Sequence, residues 1–216
     1  MSGLILGSAS TSRARILSGA GIEFSVLVSS VDEDAELARA QAAGTVAKDS
    51  VAEAEFLAAI KAASVAANPA AQGCFVLGCD SVFELDGISY GKPRTAERAF
   101  ARWQQMRGQT GTLHTGHTLI DNRPESATYG QQASMSSSSQ VRFGHPSDKQ
   151  LRRYVRTGEP QGCAGGFTID GHAAAFVEQV TGDHNAVIGV SVAVLGKLFD
   201  QLGADITDFW AEPGRD

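Results

Sequence analysis

The chain has 216 residues, with 18 Lys or Arg against 24 Asp or Glu, which gives a formal net charge of −6 at neutral pH. This acidic balance argues against broad binding to nucleic acid or to a membrane surface, but it permits a small phosphorylated ligand held by a few local cations. The length and the 43% hydrophobic content are those of one globular domain with a sizeable core. Three cysteines are too few for a disulfide framework and suit a reducing compartment. The apolar run at residues 4–6 is too short for a signal segment or a membrane span, so we expect a cytoplasmic protein.

The N-terminal part of the chain predicts a short buried strand, a helix and a second strand. Residues 4–6 are apolar and lead into a run of small polar residues. A helix is expected to start near Thr11 or Ser12 and to end at the glycines 19 and 21. Residues 24–28 are predicted to form the second strand, with the acidic residues 32–34 in a polar connection after it.

A long alanine-rich segment predicts one helix over residues 45–67. Its larger apolar residues recur at helical spacing, and Asn68-Pro69 closes it. Lys61 borders the apolar stripe of this helix. It could be a surface lysine whose stem lies along apolar neighbours, or a cation that faces a site.

The strongest local signal is a hairpin that carries an acid and a base. An apolar run at residues 75–79 leads to Asp80 and reads as a buried strand that ends at that carboxylate. Asp86-Gly87 is a hairpin turn signal, so the returning strand brings Lys92 back toward Asp80. A buried carboxylate is costly unless it is paired or bound to a metal, so this pair predicts either a site or a structural ion pair.

The rest of the chain predicts helices and strands that cluster toward its C-terminal half. Helices are expected at 95–106, 147–156 and 190–202, and strands at 112–120, 138–143 and 173–180. Residues 122–139 are polar and serine-rich, and we expect a mobile loop or an extended hairpin tip there. Strands alternate with helices early and cluster later, so we predict an α/β fold with a mixed sheet, as a single domain over residues 1–216.

Several further residues could take part in binding. Ser8, Ser10 and Arg13 follow a strand at a helix start, where hydroxyls, backbone N–H groups and a guanidinium can bind an anion, although Ser at such a position is often only a helix cap. Asp32 and Glu33 read as a solvated turn, or with Asp80 as oxygen ligands for a divalent cation. The histidines lack the spacing of a zinc site, and a Gly-x-Ser-x-Gly nucleophile elbow is missing.

Taken together, these segments resemble the Maf family of septum-formation-type nucleoside triphosphate pyrophosphatases. The resemblance runs from end to end, and it is carried by LILGSASTSRARIL (4–17), VDED (31–34), AAIKAA (58–63), VLGCDSVFELDGISYGKP (76–93), MRGQTGTLHTG (106–116), TGEPQGCAGGFTIDG (157–171) and VEQVTGDHNAVIGVSV (177–192). It implies an elongated two-lobed α/β fold, with a mixed twisted sheet and a central cleft, similar to that of the inosine triphosphate pyrophosphatases. It also implies hydrolysis of a nucleoside triphosphate to the monophosphate and pyrophosphate, dependence on a divalent cation such as Mg²⁺ or Mn²⁺, and often a homodimer.

The resemblance also implies roles for individual residues. Asp80 looks like the family's essential carboxylate, which activates water or ligates the metal, and Glu33 looks like its partner at the metal. Lys61 and Lys92 would neutralise the triphosphate and the leaving pyrophosphate. Ser8, Ser10 and Arg13 would hold phosphates.

The chain departs from common family patterns at positions that bear on the substrate. Thr11-Ser12-Arg13 stands where many members have Pro-Arg-Arg, Ser81 stands where many members that favour dTTP and UTP have Thr, and Asp170 stands where those members have Gln. Asp170 could accept hydrogen bonds from the edge of a guanine or a 7-methylguanine. We therefore take Ser81 and Asp170 as candidate substrate-binding residues and leave the preferred base open. A nucleotide-binding regulator of cell division with little turnover is the alternative function.

Overall fold

Seven strands form one mixed sheet in the computed structural model, which describes residues 3–211. The strands are β1 (Gly3–Leu6), β2 (Ser25–Val26), β3 (Cys74–Leu85), β4 (Ile88–Tyr90), β5 (Thr110–Asp121), β6 (Gln132–Phe143) and β7 (Val177–Thr181). Their order is β2-β1-β3-β5-β6-β7, and β4 pairs only with β3. β1 runs parallel to β2 and β3, whereas β3, β5, β6 and β7 are antiparallel neighbours, so the predicted mixed α/β sheet is confirmed.

Seven α-helices within residues 3–211 flank this sheet. They are α1 (Thr11–Gly19), α2 (Glu33–Ala42), α3 (Ser50–Ala66), α4 (Ala96–Met106), α5 (Asp148–Val155), α6 (His184–Ile188) and α7 (Val192–Gln201). Each begins after a Ser, Thr or Asp whose side chain accepts a hydrogen bond from a first-turn N–H group. Within the described residues, none of these helices has the length and the apolar character needed to cross a bilayer.

Most predicted elements exist, and the errors have local causes. The prediction of a polar connection at Asp32-Glu33-Asp34 is wrong, because Asp32 caps α2 and the acidic residues that follow it occupy the first turn of that helix. The helix predicted from residue 45 begins only at Ser50, after the cap residue Asp49. Residues 173–176 form a 3₁₀ turn ahead of β7, and α6 was not predicted.

The loop predicted at 122–139 is wrong for residues 132–139, which belong to β6. The connection proper is the tip of an extended β5–β6 hairpin. It is organised around the buried carboxylate of Asp121, which accepts hydrogen bonds from Arg123, Ser126 and Thr128. Serine-rich sequence at 134–139 lies in a strand because every residue there pairs with β5.

In the described residues, two large hydrophobic cores and a smaller third one, which includes Val65, Val76 and Ile120, lie along the long strands. One core packs β1, α1 and α7 against the first half of β3, with Phe75, Leu77 and Cys79 among its buried members. The second core packs α4, α5 and residues 158–171, which we call the glycine-rich segment, against the second half of β3, including Phe83. Asp80 and Ser81 lie on β3 between the two cores.

Close packing of α3 against the middle of the sheet depends on two glycines. A Cβ at Gly78 would lie 2.2 Å from the carbonyl oxygen of Ala58, and one at Gly116 would lie 2.4 Å from that of Ala54. Real Cβ atoms do not approach backbone atoms so closely, so any other residue at these positions would push α3 away from the sheet. The short approach places Lys61 of α3 beside Asp80 of β3.

Candidate active site

Asp80 lies in the interior of β3 and not at its end, which corrects the sequence prediction. On one side β3 pairs with β5 along nearly its whole length. On the other side it pairs with β1 through Leu77 and with β4 from Phe83 onward, so residues 78–82 have no strand neighbour there within the described chain. This gap beside the middle of β3 leaves Asp80 next to a cavity and not next to another strand on that side.

Lys61 joins the two carboxylates that the sequence assigned to the site. Its ammonium Nζ lies 2.5 Å from Oδ1 of Asp80 and 2.9 Å from Oε2 of Glu33. The Lys61 side chain is 9% exposed and that of Asp80 is 13% exposed, so this is a desolvated ion pair and not a surface contact. The interpretation of Lys61 as a surface lysine is therefore wrong.

Glu33 reaches this cluster because it is the first residue of α2. Its side chain is 40% exposed, so it forms the outer, solvated member of the triad of charges. In the described residues, hydrogen bonds of Asp80 involve only Oδ1, which leaves Oδ2 available to a ligand or a water.

The small polar run after β1 forms a cradle at the N-terminus of α1. Ser10 caps the helix, and Ser8 accepts hydrogen bonds from the Ser10 N–H group and from Nη1 of Arg13. The residues from Gly7 to Arg13 all line one cavity. Backbone N–H groups and the dipole at a helix N-terminus favour an anion at such a place.

Arg13 is buried and connects this cradle to β3. Its Nη2 donates to Oγ of Ser81 at 3.3 Å, and its Nε donates to the carbonyl of Gly189 at 2.8 Å. The guanidinium therefore places a positive charge beneath the cradle and sets its distance from the residue next to Asp80.

The Ser81 side chain is positioned by residues that the sequence analysis missed. The Ser81 hydroxyl lies 2.9 Å from Oγ1 of Thr115 on β5, and Thr115 donates to the carbonyl of Ala186 on α6. α6 could have been predicted, because Asp183 is a helix cap ahead of an apolar run that ends at Gly189. The cross-strand contact of Thr115 has no signal in the local sequence.

The cradle, the charged triad and Lys92 line one cavity of about 450 Å³. Residues from the glycine-rich segment form part of its wall, among them Cys163, Phe167 and Thr168. Lys92 makes no salt bridge to any described residue, so its ammonium is available to an anion in the cavity. Lys92 and Asp80 line this cavity together, and a direct approach of the two side chains stays a prediction.

A second cavity of about 390 Å³ shares Glu33, Asp80 and Lys92 with the first. It also contains Glu53, which lies two helical turns before Lys61 on α3 and was missed in the sequence. Burial, and then the negative charge of Asp80, raise the pKa of Glu53 above its usual range. The spacing of Glu53, Leu57 and Lys61 by four residues is the signal that could have placed Glu53 on this face.

Asp170 does not line either cavity, contrary to the prediction that it contacts a base. Its Oδ2 accepts a hydrogen bond from Arg15 at 2.7 Å, and its Oδ1 accepts one from the hydroxyl of Thr168. Thr168, which the sequence analysis did not single out, occupies the cavity wall instead.

Cys163 lies at the cavity but is not equipped as a nucleophile. Burial raises the pKa of its thiol to about 11, and the Sγ–H group donates to the carbonyl of Glu159. A thiol with so high a pKa is almost entirely protonated at neutral pH, so it cannot attack a phosphate.

A divalent cation fits the donor set at Glu33 and Asp80. Within residues 3–211 no cluster of three or more acidic, histidine or cysteine side chains is preassembled as a metal site. Mg²⁺, however, is often held by one or two carboxylates together with substrate phosphates. Glu33 and Asp80 would supply the two carboxylates, and phosphates held in the adjacent cradle would supply the remaining oxygen ligands.

Comparison with known proteins agrees with this geometry. The chain matches the Maf-like protein family over residues 3–202, and it belongs to that family. A relative from Streptomyces avermitilis is 44% identical over 207 residues, which cover 96% of this chain and 94% of the relative. One from Streptomyces coelicolor is 45% identical over 213 residues, or 99% and 96% of the two chains, and one from Mycobacterium sp. (strain JLS) is 43% identical over 210 residues, or 96% and 97%. All three relatives are named nucleoside triphosphate pyrophosphatase.

Proposed function

We propose that this protein is a nucleoside triphosphate pyrophosphatase that uses a divalent cation to release pyrophosphate and a nucleoside monophosphate. The observation that carries the proposal is Lys61 held between Asp80 and Glu33 in a cavity that also contains the anion cradle and Lys92. The names of relatives that share more than 40% of their residues with this chain support the same reaction.

The reaction adds water across the bond between the α- and β-phosphates. A water oxygen forms a new bond to phosphorus, the bridging P–O bond breaks, and its electron pair leaves with the pyrophosphate. Negative charge grows on phosphate oxygens as this happens, so positioned cations supply much of the catalysis. In this chain Lys61 and Lys92 carry that charge compensation, and the cradle at Ser8 and Ser10 holds the phosphates through hydroxyl and N–H groups.

Asp80 has the position for the carboxylate that handles the attacking water. Lys61 occupies Oδ1, so Oδ2 is the atom that can accept a proton from water or contribute to a metal site. Water is a poor nucleophile at neutral pH, and a carboxylate base within hydrogen-bond reach raises its reactivity.

Mg²⁺ or Mn²⁺ at Glu33 and Asp80 would neutralise phosphate charge and lower the pKa of a bound water. Lys61 then has a second role, because it holds both carboxylates in place and limits their mutual repulsion before substrate and cation arrive. We place the cellular role of the reaction in the removal of unwanted or modified nucleotides. A cytoplasmic location and a homodimer stay predictions, and sedimentation of the purified chain would test the latter.

The test is to identify the products and not only to measure turnover. The purified protein is incubated with dTTP, UTP, CTP, GTP, ITP and 7-methyl-GTP, each with Mg²⁺, with Mn²⁺ or with EDTA, and the products are separated by ion exchange. The proposal predicts pyrophosphate and a monophosphate in equal amounts, with a cation required. Release of inorganic phosphate and a diphosphate would contradict the proposed bond cleavage. Tight binding of one nucleotide with no turnover would favour the regulator.

A further inference from the structure

Thr168 is held rigidly on the wall of the first cavity. It lies between Phe167 and Ile169, which are both buried in the second core. The Phe167 ring makes edge-to-face contacts with Phe83 at 5.3 Å and with Phe143 at 5.0 Å between ring centroids. With both neighbours fixed in the core, the backbone of Thr168 has little freedom to move.

The Thr168 hydroxyl is oriented as well, because it donates a hydrogen bond to Asp170. Oδ1 of Asp170 takes the hydrogen bond from Oγ1 of Thr168, while Oδ2 takes one from Nη2 of Arg15. Arg15 lies on α1, so this ion pair joins the helix that carries the cradle to the glycine-rich segment. Both oxygens of Asp170 are thereby engaged, and Asp170 itself lines neither cavity.

This arrangement determines what kind of group the cavity wall can bind. A hydroxyl can donate one hydrogen bond, and the Thr168 hydroxyl donates it to Asp170. Toward a ligand, the oxygen of Thr168 can therefore only accept a hydrogen bond. Phosphate oxygens are acceptors and carry negative charge, so they are disfavoured beside Thr168 and the carboxylate behind it. The part of a nucleotide that can supply a donor is its nucleoside, through a ring N–H, an exocyclic amino group or a ribose hydroxyl.

We propose that Thr168 determines nucleoside specificity by accepting one hydrogen bond from the substrate, and that Asp170 acts as a positioning residue that holds the Thr168 hydroxyl in the accepting state. This inference rests on the proposed function, because it assumes that a nucleotide occupies the cavity. It replaces the direct contact between Asp170 and a base that the sequence suggested.

The test compares three variants on paired nucleotides that differ at a donor. The pairs are UTP with CTP, which exchange an N3–H donor for a 4-amino donor, GTP with ATP, which exchange the N1–H and 2-amino donors for a 6-amino donor, and each ribonucleotide with its 2′-deoxy counterpart, so the preferred member shows which donor Thr168 accepts from. Wild-type protein is expected to prefer the member of one pair that carries the donor, with a lower KM, by about three- to tenfold.

Thr168→Val removes the accepting oxygen and keeps the shape of the side chain, so it should abolish that preference by raising the KM of the preferred member, with kcat nearly unchanged. Thr168→Ser keeps the hydroxyl and should retain the preference. Asp170→Asn presents an amide that can donate to Thr168, which frees the hydroxyl proton, so the preference should weaken or invert.

A purely structural role for Thr168 would give a different pattern. If Thr168→Val lowers turnover of all nucleotides alike, or keeps the wild-type ratios, the inference is overturned while the proposed function stands. If wild-type protein turns over none of the nucleotides, the proposed function fails, and equilibrium binding of the same pairs to the same variants then decides the inference. Loss of the binding preference in Thr168→Val but not in Thr168→Ser supports it, and the absence of any nucleotide binding overturns it.

Discussion

Replacing His117 by asparagine should remove a defined part of the protein's sensitivity to acid. His117 is fully buried on β5, and its Nε2 accepts a hydrogen bond from the backbone N–H of Ser191 at 2.8 Å. Nε2 therefore carries no proton, and the neutral ring has its hydrogen on Nδ1, which faces the carbonyl of Met135 at 3.3 Å. Burial is the main cause that lowers the pKa of His117 from 6.5 to about 4.

The direction of the pH effect follows from this lowered pKa. Between pH 6.5 and 4 the unfolded chain binds a proton at residue 117 and the folded chain does not, so stability falls as the pH falls. The stabilising contribution of neutral, buried His117 is fully present above about pH 6.5. A pKa difference of this size corresponds to about 3 kcal/mol in total, of which about 2 kcal/mol is lost by pH 5.

The assay is urea unfolding at pH 7.5, 6.5, 5.5 and 5.0, for wild type, His117→Asn and His184→Asn. Asparagine keeps a donor and an acceptor but does not titrate, so the free energy of unfolding of His117→Asn should fall about 2 kcal/mol less than that of wild type over this range. Carboxylates titrate alike in the three proteins and cancel in the comparison. His184 is exposed, and its variant serves as the matched control for replacing a histidine by asparagine. Parallel profiles for wild type and His117→Asn would refute the reasoning.

Three further predictions concern the framework of the site. Lys61→Met leaves the carboxylate of Asp80 desolvated without its cation and should lower the free energy of unfolding by about 3 kcal/mol in urea melts, and by clearly less in an Asp80→Asn background. Gly78→Ala places a Cβ against the backbone of α3 and should lower the free energy of unfolding by about 3 kcal/mol. An unchanged urea midpoint would contradict the close packing of α3 on the sheet. Ser10→Ala and Thr95→Ala should each lower the free energy of unfolding by about 1 kcal/mol, because each removes a helix cap. Of the two, Ser10 lines the cavity and Thr95 does not, so Ser10→Ala should raise the KM for nucleotide and Thr95→Ala should not. Equal KM values for the two variants would contradict a cradle at Ser10.

The parts of the site that the sequence predicted well are those set by local structure. Asp80 and Lys92 line the same two cavities, and they are connected by a hairpin whose turn, Asp86-Gly87, has the positive φ values of 53° and 75° that such a turn requires. The start of α1 at Thr11, capped by Ser10, follows in the same way from its own neighbours. Such features need only a few residues on either side of them.

The errors arise where distant segments meet. The contact of Lys61 with Asp80 depends on how closely α3 packs on the sheet, and that distance is set by Gly78 and Gly116 on two different strands. The position of Asp170 depends on an ion pair with Arg15, which is 155 residues away in sequence. A pattern in one segment carries no information about either contact.

One local signal was present but was interpreted wrongly. Asp32 followed by Glu33, Asp34 and Glu36 is typical of a helix start, because acids in the first turn interact favourably with the helix dipole. Reading these residues as a polar connection put Glu33 in a loop, whereas its place at the start of α2 is what aims it at Lys61.

The most direct test of the central claim is pyrophosphate release by Asp80→Asn beside Glu84→Gln, a matched change on the same strand that lies outside both cavities. Both proteins are first checked for a wild-type circular dichroism spectrum and then assayed on the best nucleotide with Mg²⁺ or Mn²⁺. If Asp80 handles the attacking water or the metal, Asp80→Asn should lower kcat by at least about 100-fold, while Glu84→Gln stays within about twofold of wild type. A folded Asp80→Asn protein with full turnover would contradict the assignment of the active site.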